Sequence, residues 1–284
     1  MLFRSEAIAR PGNLGPQVDP ATTTRVVEIN DLAATEAALA TGDVAAILVE
    51  PALTNIGIVR PDPGYHAALR ALATKYGALL IVDETHTISL GPGGATATWS
   101  LRPDAIVIGK AIAGGIPGAA YGMNAQLAER VGAATNLDEI DTGGIGGTVS
   151  GNVLSAVAIR ATLGEVLTDA AFPGMVAGAE RWADGVEEVL QRRSLGWSVA
   201  RLGARAEYHF APENPRNGGE AAAAVDHELE RYLHLHALVR GIVITPFHNM
   251  ALFSPATPRD AADRHSEALD AAIATLIEGR AIVV

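Results

Sequence analysis

The sequence contains no cysteine among its 284 residues, which excludes a disulfide framework, a thiol nucleophile and any cysteine-ligated metal site. Positive charge is also scarce, because 21 lysine and arginine residues stand against 32 aspartate and glutamate residues, for a net charge of -11. A nucleic-acid partner would need a basic surface, so we expect none. No apolar run approaches the roughly 20 residues that span a bilayer, so we expect no membrane partner either.

The first ten residues, MLFRSEAIAR, hold no long apolar segment and therefore predict no secretory signal. We accordingly expect a cytoplasmic protein. Lysine is the other rarity, since only Lys75 and Lys110 occur in a chain that otherwise uses arginine for positive charge. Lys110 ends the apolar segment IVIGK, a place where a charged side chain requires an explanation. The 49% hydrophobic content, by contrast, is typical of a folded domain with a substantial core.

Strand-like and helical patterns alternate in the first half of the chain, which predicts an α/β fold with a parallel sheet. The predicted strands cover residues 25–30, 45–50, 78–84, 104–110 and 118–123. The run at 45–50 is continuously apolar, as expected of a strand buried on both faces. Asp31 and Gly77 are predicted to cap the start of one helix and the end of another.

A glycine-rich segment at residues 141–152 separates this half from a second, smaller unit, and we place the domain boundary near residue 165, giving domains 1–165 and 166–284. In the second unit we predict an α+β arrangement. Its predicted helices cover about 153–168, 175–193 and 263–279, and its predicted strands lie within 197–203, 205–211 and 241–246. Proline, glycine and asparagine at residues 212–224 predict a surface loop there.

Charged residues follow three of the predicted strands, where ligands bind in parallel sheets. These residues are Glu50, the pair Asp83 and Glu84, and Lys110. An Asp83–Lys110 ion pair joining two strand ends is the plainest interpretation. The alternative is a pyridoxal phosphate site, which needs a lysine for the Schiff base and an acidic partner for the pyridinium nitrogen. Glycine beside and after Lys110 favours the second interpretation, because an ion pair requires no such space.

The combination of Glu-Pro at 50–51, Asp-Glu at 83–84 and Gly-Lys at 109–110 resembles the class III pyridoxal-phosphate-dependent aminotransferases, within them the glutamate-1-semialdehyde aminomutase-like branch. The resemblance extends from about residue 10 to the end and is strongest over 45–155. It implies a fold-type I transferase, with a mostly parallel sheet that has helices on both faces and a C-terminal α+β small domain. Residues 1–165 would then be the C-terminal part of the large cofactor-binding domain.

The resemblance also implies roles for individual residues. Asp83 would pair with the cofactor's ring nitrogen, and Lys110 would bind the cofactor and shuttle a proton. Thr85 falls where the family packs a residue on the ring, and His86 falls near the ring's 3′ oxygen. Thr148, in the segment GGTVSGN, matches the threonine that reaches the cofactor phosphate of a neighbouring subunit, so a homodimer is expected.

Two departures from the family pattern bear on function. The segment DETHTISL alters the family's ring-packing residue and a following arginine, so substrate preference does not carry over. The family's N-terminal phosphate loop and stacking aromatic have no counterpart, so the chain resembles the C-terminal two-thirds of an aminotransferase, N-terminally truncated. His248 and Asn249 are further pocket candidates, while Glu50 is expected to be structural. No histidine spacing predicts a metal site.

The sequence therefore predicts a transaminase that moves an amino group from an amino acid or amine to a keto acid or aldehyde. Its partners would be a small-molecule amino donor and acceptor and a second copy of the chain. Two alternatives stay open. One is a glutamate-1-semialdehyde-type 2,1-aminomutase, and the other is an inactive truncated remnant that acts only as a dimerising scaffold.

Overall fold

A computed structural model describes residues 19–134, 151–245 and 247–281. Its first sheet contains β1 (Ala46–Val49), β2 (Leu79–Asp83), β3 (Ala105–Ile108) and β4 (Ala120–Met123), in that spatial order. The pairs β1–β2 and β2–β3 are parallel and β3–β4 is antiparallel. The α/β prediction with a mostly parallel sheet is confirmed.

Helices of the first half begin and end where their capping residues predict. The Asp31 carboxylate accepts a hydrogen bond of 2.8 Å from the Ala34 amide and starts α1 (Leu32–Leu39). Gly77 adopts a left-handed φ of 69° and ends α2 (Tyr65–Tyr76). A short helix, α3 (Gly94–Thr98), follows β2, and α4 (Ala125–Ala134) follows β4. Of these helices, α2 links β1 to β2 and packs on the sheet, where Leu69 and Ala73 share a core with Leu80 and Val82.

The second sheet is antiparallel, with the order β5 (Ser198–Leu202), β6 (Arg205–His209) and β7 (Met250–Leu252). The helices of this part are α5 (Val153–Ala161), α6 (Phe172–Arg192), α7 (Gly218–Ala223), α8 (His227–Leu238) and α9 (Ala261–Ala281). A core around Trp182 and Tyr208, whose ring centroids lie 6.0 Å apart, joins α6 to β6. The predicted domain boundary near residue 165 stays a prediction.

Several predicted elements are wrong. Residues 26–30 form no strand, because their contacts are made by side chains: Ile29 packs into the core, and Glu28 accepts a hydrogen bond of 2.8 Å from the Gly218 amide. Strand β1 is not buried on both faces, since Leu48 is 70% exposed. An apolar run shows what a strand could bury but not which neighbour covers it.

In the second half, residues 242–245 form no strand, and the third strand of the sheet is β7 instead. The predicted loop at 212–224 contains α7. Asn217 accepts from the Glu220 amide at 2.8 Å and donates to the Glu220 carboxylate at 2.9 Å. Such a reciprocal pair is typical of the first turn of a helix. The proline, glycine and asparagine content of the segment favoured a loop and so led to the wrong prediction. The predicted helix over 153–168 ends as α5 followed by a π-helical turn, Thr162–Val166.

The loop after β2 lies in close contact with the turn between β5 and β6. Gly203, with a left-handed φ of 62°, lies so near Leu90 that a Cβ would stand 2.5 Å from the Leu90 Cα. The Ala204 amide donates a hydrogen bond of 3.0 Å to the Ser89 carbonyl. The loop that follows β2 is therefore held directly against the β5–β6 turn.

Asp104, at the start of β3, connects three neighbouring elements. Its carboxylate accepts from the Arg70 guanidinium at 2.7 Å, the Leu80 amide at 2.8 Å and the Asn124 side chain at 3.1 Å. Burial acts to raise the pKa of Asp104, but the bonds from Arg70 and Leu80 outweigh it and leave this pKa below its ordinary value. The ionised carboxylate is thus favoured in the folded state.

We expect Asp104→Asn to lower the free energy of unfolding at neutral pH by about 1–2 kcal/mol, since the amide cannot accept all three bonds and solvent screens part of the ion pair. Because the folded-state pKa is depressed, this stability is complete above the ordinary pKa of about 3.9 and is lost as pH falls through the folded value. The free energies of unfolding of the wild type and the variant, measured in urea, should therefore converge as the pH falls. Asp43→Asn, which breaks an exposed pair with Arg25, is the control and should have a smaller effect.

Candidate active site

The parallel strands bring the predicted charged residues to one edge of the first sheet. Val49 is aligned with Val82 and Asp83 with Val107, so Glu50, Asp83 and Lys110 all follow the carboxyl ends of adjacent strands. Asp83 and Lys110 do not form the ion pair that was the plainer of the two interpretations. Lys110 Nζ lies instead 2.5 Å from the Nε2 atom of His86. This leaves the Asp83 carboxylate available to another group.

Lys110 is held in an unusual backbone conformation. Its φ of 49° lies in the left-handed region, which costs a residue with a side chain of order 1–3 kcal/mol. A 3-10 turn (Lys110–Ala113) starts at this residue, and Gly114 with φ 59° ends it. Lys75, the other lysine, lies on α2 in an exposed ion pair with Glu36 at 2.6 Å. The two lysines therefore differ in their partners, a carboxylate for Lys75 and an imidazole for Lys110.

The neighbouring acids Asp83 and Glu84 point in different directions. Asp83 lines a cavity of about 320 Å³ together with Glu50, Leu53 and Tyr65, and its Oδ1 accepts from the Thr85 amide at 2.9 Å. Glu84 is turned inward and is only 2% exposed. Asp83 is thus placed to meet a ligand, whereas Glu84 belongs to the framework.

Glu84 fixes the start of α3. Its carboxylate accepts from the Ala95 amide at 3.1 Å, from the Thr96 amide and from the Thr87 hydroxyl. Gly94, with φ 66°, leaves space for it, since a Cβ there would lie 2.7 Å from a carboxylate oxygen. The inward position of Glu84 is set by the backbone donors at this helix start.

A row of hydrogen bonds runs inward from Lys110. His86 contacts Lys110 through Nε2 and Thr54 through Nδ1, and the Thr54 hydroxyl donates to Glu50 at 2.9 Å. Burial, aided by the positive charges of Arg205 and Lys110, lowers the pKa of His86 to about 4. Burial, aided by the charge of Asp83, raises the pKa of Glu50. His86 is therefore neutral at physiological pH.

Charged side chains of the second sheet lie against the loops that carry His86 and Thr54. Arg205 on β6 is 7% exposed and donates to the Ser89 hydroxyl at 2.8 Å. Burial lowers the pKa of Arg205 to about 10, and the charges of Glu207 and Glu50 oppose that shift. Glu207 accepts from the Ile58 amide at 2.7 Å and lies 3.5 Å from His248. Neighbouring Asn249 has a buried side-chain oxygen without a hydrogen-bond partner.

Thr54, Arg205 and Glu207 are site residues that the sequence interpretation missed. Arg205 and Glu207 belong to a strand whose five residues are all buried, so the signal was a pair of charges inside a predicted core strand. Thr85 is half-buried beside Asp83. Thr148 lies outside the described residues.

Across 19–134, 151–245 and 247–281, no three histidine, aspartate or glutamate side chains are grouped as metal ligands. Within those same ranges, every helix is too short or too polar to span a bilayer.

Known proteins share both the sequence pattern and the fold. The model of the class-III aminotransferase family matches residues 15–272. A glutamate-1-semialdehyde 2,1-aminomutase of Anaeromyxobacter sp. (strain Fw109-5) is 33% identical over 251 residues, 87% of this chain and 57% of the relative. The enzyme of the same name from Thermomicrobium roseum is 35% identical over 274 residues, 95% of this chain and 62% of the relative.

Solved structures agree with these relatives. A glutamate-1-semialdehyde-aminomutase from Pseudomonas aeruginosa PAO1 is 47% identical with a TM-score of 0.89, covering 94% of this chain and 60% of that one. A variant from the same organism, crystallised in complex with PMP, is equally similar. A β-phenylalanine aminotransferase from Variovorax paradoxus is 28% identical, with a TM-score of 0.74 over 89% of this chain and 57% of that one. The chain thus spans about three-fifths of the length of such proteins.

The different directions of Asp83 and Glu84 can be tested by paired amide substitutions. We expect Glu84→Gln to lower the free energy of unfolding by about 2 kcal/mol, because the NH2 group that replaces one carboxylate oxygen cannot accept from the backbone amide it would face. Asp83→Asn should change stability little, since the cavity places few demands on that side chain. Chemical denaturation of both variants measures the difference, and equal losses would contradict the assignment.

Proposed function

The chain belongs to the class-III aminotransferase family, and from that membership we propose that it is a pyridoxal-phosphate-dependent transaminase. It would transfer an amino group from an amino acid or amine to a keto acid or aldehyde. The observation that carries this proposal is Lys110, a strained lysine at a strand end that pairs with no carboxylate among the described residues, beside a strand ending in Asp83. The family resemblance predicted from the sequence is confirmed.

The residues at this edge of the sheet fit pyridoxal phosphate. The cofactor requires a lysine amine and an acid that faces its ring nitrogen. Lys110 Nζ contacts a neutral imidazole, so the amine is not committed to a salt bridge. Asp83 lines a cavity of about 320 Å³ and is the acid that would hold a proton on the ring nitrogen. When bound, the cofactor supplies the electron sink for loss of a proton from the substrate.

The residues of the chain have distinct parts in this mechanism. Lys110 would hold the cofactor and then carry the proton taken from the substrate, which a lysine can do and an arginine cannot. Thr85 and His86 would contact the ring, and Thr148 would bind the phosphate of a neighbouring subunit's cofactor. Arg205 is the buried cation that would attract an acidic substrate group. Glu207 and His248 would border the same space.

A second candidate activity is a 2,1-aminomutase, which moves the amino group within one carbon skeleton. It is favoured by the names of the similar proteins, including the one of known structure at 47% identity. Incubation with a single amino aldehyde, with and without a separate keto acid, distinguishes the two activities. A transaminase requires the second substrate, whereas an aminomutase does not. A remnant that only dimerises would give neither product.

The lysine content of the chain allows a direct test of the cofactor site. We expect pyridoxal phosphate, trapped by borohydride reduction, to be attached to Lys110, because its amine is the one held at the strand ends. Lys75 is the internal comparison, since Glu36 occupies its charge. Peptide mass spectrometry should find the label in the wild type and in Lys75→Ala but not in Lys110→Ala. An unlabelled wild-type protein, or label that persists in Lys110→Ala, would overturn the proposed function.

We further propose that the chain forms a homodimer through the outer face of α5. Three apolar side chains on that face are exposed: Val153 by 76%, Leu154 by 63% and Val157 by 58%. The opposite face packs on the active-site loop, where Ser155 donates to the Pro117 carbonyl at 2.6 Å. A partner on this helix would therefore lie beside Lys110. The cytoplasmic location stays a prediction from the sequence.

Light scattering tests the interface. We expect the double variant Leu154→Glu with Val157→Glu to be monomeric at concentrations where the wild type is dimeric, because two buried charges would oppose association. Leu235→Glu, at a position on α8 that is 60% exposed, is the matched control and should leave the mass unchanged. Equal masses for all three proteins would contradict the assignment of this face.

A further inference from the structure

Four residues from three different segments form one continuous row of hydrogen bonds. Lys110 Nζ contacts His86 Nε2 at 2.5 Å, His86 Nδ1 contacts Thr54 Oγ1, and Thr54 Oγ1 contacts Glu50 Oε2 at 2.9 Å. Thr54, in the middle of the row, is only 1% exposed. The row therefore connects an exposed amine to a half-buried carboxylate through groups shielded from water.

The chemistry of these groups fixes the direction of every bond. In its ammonium form Lys110 can only donate, so His86 Nε2 must be the acceptor. A neutral imidazole then has its single hydrogen on Nδ1 and donates it to Thr54. The Thr54 hydroxyl is left to donate its own hydrogen to Glu50. One tautomer of His86 satisfies all these contacts.

We propose that Glu50, Thr54 and His86 form a proton relay for Lys110, in which Thr54 and Glu50 hold the imidazole in the Nδ1–H tautomer. His86 and Thr54 pass the proton on, and Glu50 is the far end that accepts it. This proposal rests on the proposed function, since it gives the cofactor lysine a route to its neutral, nucleophilic form.

One proton moves in net terms along the relay. The Lys110 N–H bond breaks as an Nε2–H bond forms on His86, and the Nδ1–H bond breaks as an O–H bond forms on Thr54. The original Thr54 O–H bond breaks as the Glu50 carboxylate gains a hydrogen. The outcome is a neutral amine and a neutral carboxylic acid, with no other reactant required.

The charges around the relay favour this direction. Burial and the positive charges of Arg205, Lys110 and His248 lower the pKa of His86. The negative charge of Asp83 acts to raise it. An imidazolium is therefore disfavoured, and a proton from Lys110 would not stop on His86. Burial and the charge of Asp83 favour the protonated form of Glu50. Of His86 and Glu50, the carboxylate is thus the better acceptor for a proton that leaves Lys110.

Nuclear magnetic resonance of the cofactor-free chain labelled with ¹⁵N-histidine tests the relay at neutral pH. We expect His86, assigned by loss of its signal in His86→Gln, to be mainly the Nδ1–H tautomer. Thr54→Val should shift it towards Nε2–H, because the Nδ1 hydrogen loses its acceptor while the exposed Lys110 amine can move away, and Thr54→Ser should not. His66 is an internal reference for the other tautomer, because its Nε2 lies 2.8 Å from the Pro51 carbonyl and must donate. A wild-type Nε2–H tautomer, or no change in Thr54→Val, overturns the relay.

The rate of borohydride-trapped labelling of Lys110 by pyridoxal phosphate is the second measurement. We expect Thr54→Val to slow it about 100-fold, at the low end of the range for lost proton-transfer assistance, with Thr54→Ser near the wild type. A tautomer change without a change in rate also overturns the relay. If no variant is labelled but the tautomers behave as expected, the proposed function fails while the hydrogen-bonded relay stands.

Discussion

The buried carboxylate of Glu84 is the constraint on which both the active site and the joint between the sheets depend. It anchors the start of α3 to the end of β2, and the segment between them is thereby fixed. That segment carries His86, which contacts Lys110, and Ser89, which contacts Arg205 and Ala204 of the second sheet. One desolvated acid therefore sets the relation between two parts of the chain that are far apart in sequence.

This arrangement separates framework charges from reactive ones within a few residues. Glu84 has all its partners supplied by the protein, and so it is an inert part of the fold. Asp83 and Lys110 have few partners of their own, and the backbone at Lys110 is strained. Unsatisfied polar groups and strain persist only where the surrounding structure enforces them, and such places are typically functional. The site can thus be recognised from charged side chains that have few protein partners and from the strained backbone at Lys110.

The sequence was sufficient to predict the residues that local pattern places. Asp83 and Lys110 follow apolar runs, and Asp31 and Gly77 have capping chemistry, so each could be located without neighbours. Thr54 and Arg205 could not, because their roles depend on contacts with residues more than thirty positions away. The strand predicted at 25–30 failed for the same reason. Of its apolar residues Ile29 is buried but Val26 is 43% exposed, and strand formation needs a partner that no local pattern specifies.

The exposed position of β1 has a consequence for how the chain behaves in solution. As the outermost strand of the described sheet, with Leu48 largely uncovered, it offers hydrogen-bonding groups and apolar surface to any extended segment. The net charge of -11 keeps copies of the chain apart at low ionic strength. Added salt shortens the range of that repulsion. Colloidal stability of the isolated chain should therefore decline as ionic strength rises, even where its folded structure is unchanged.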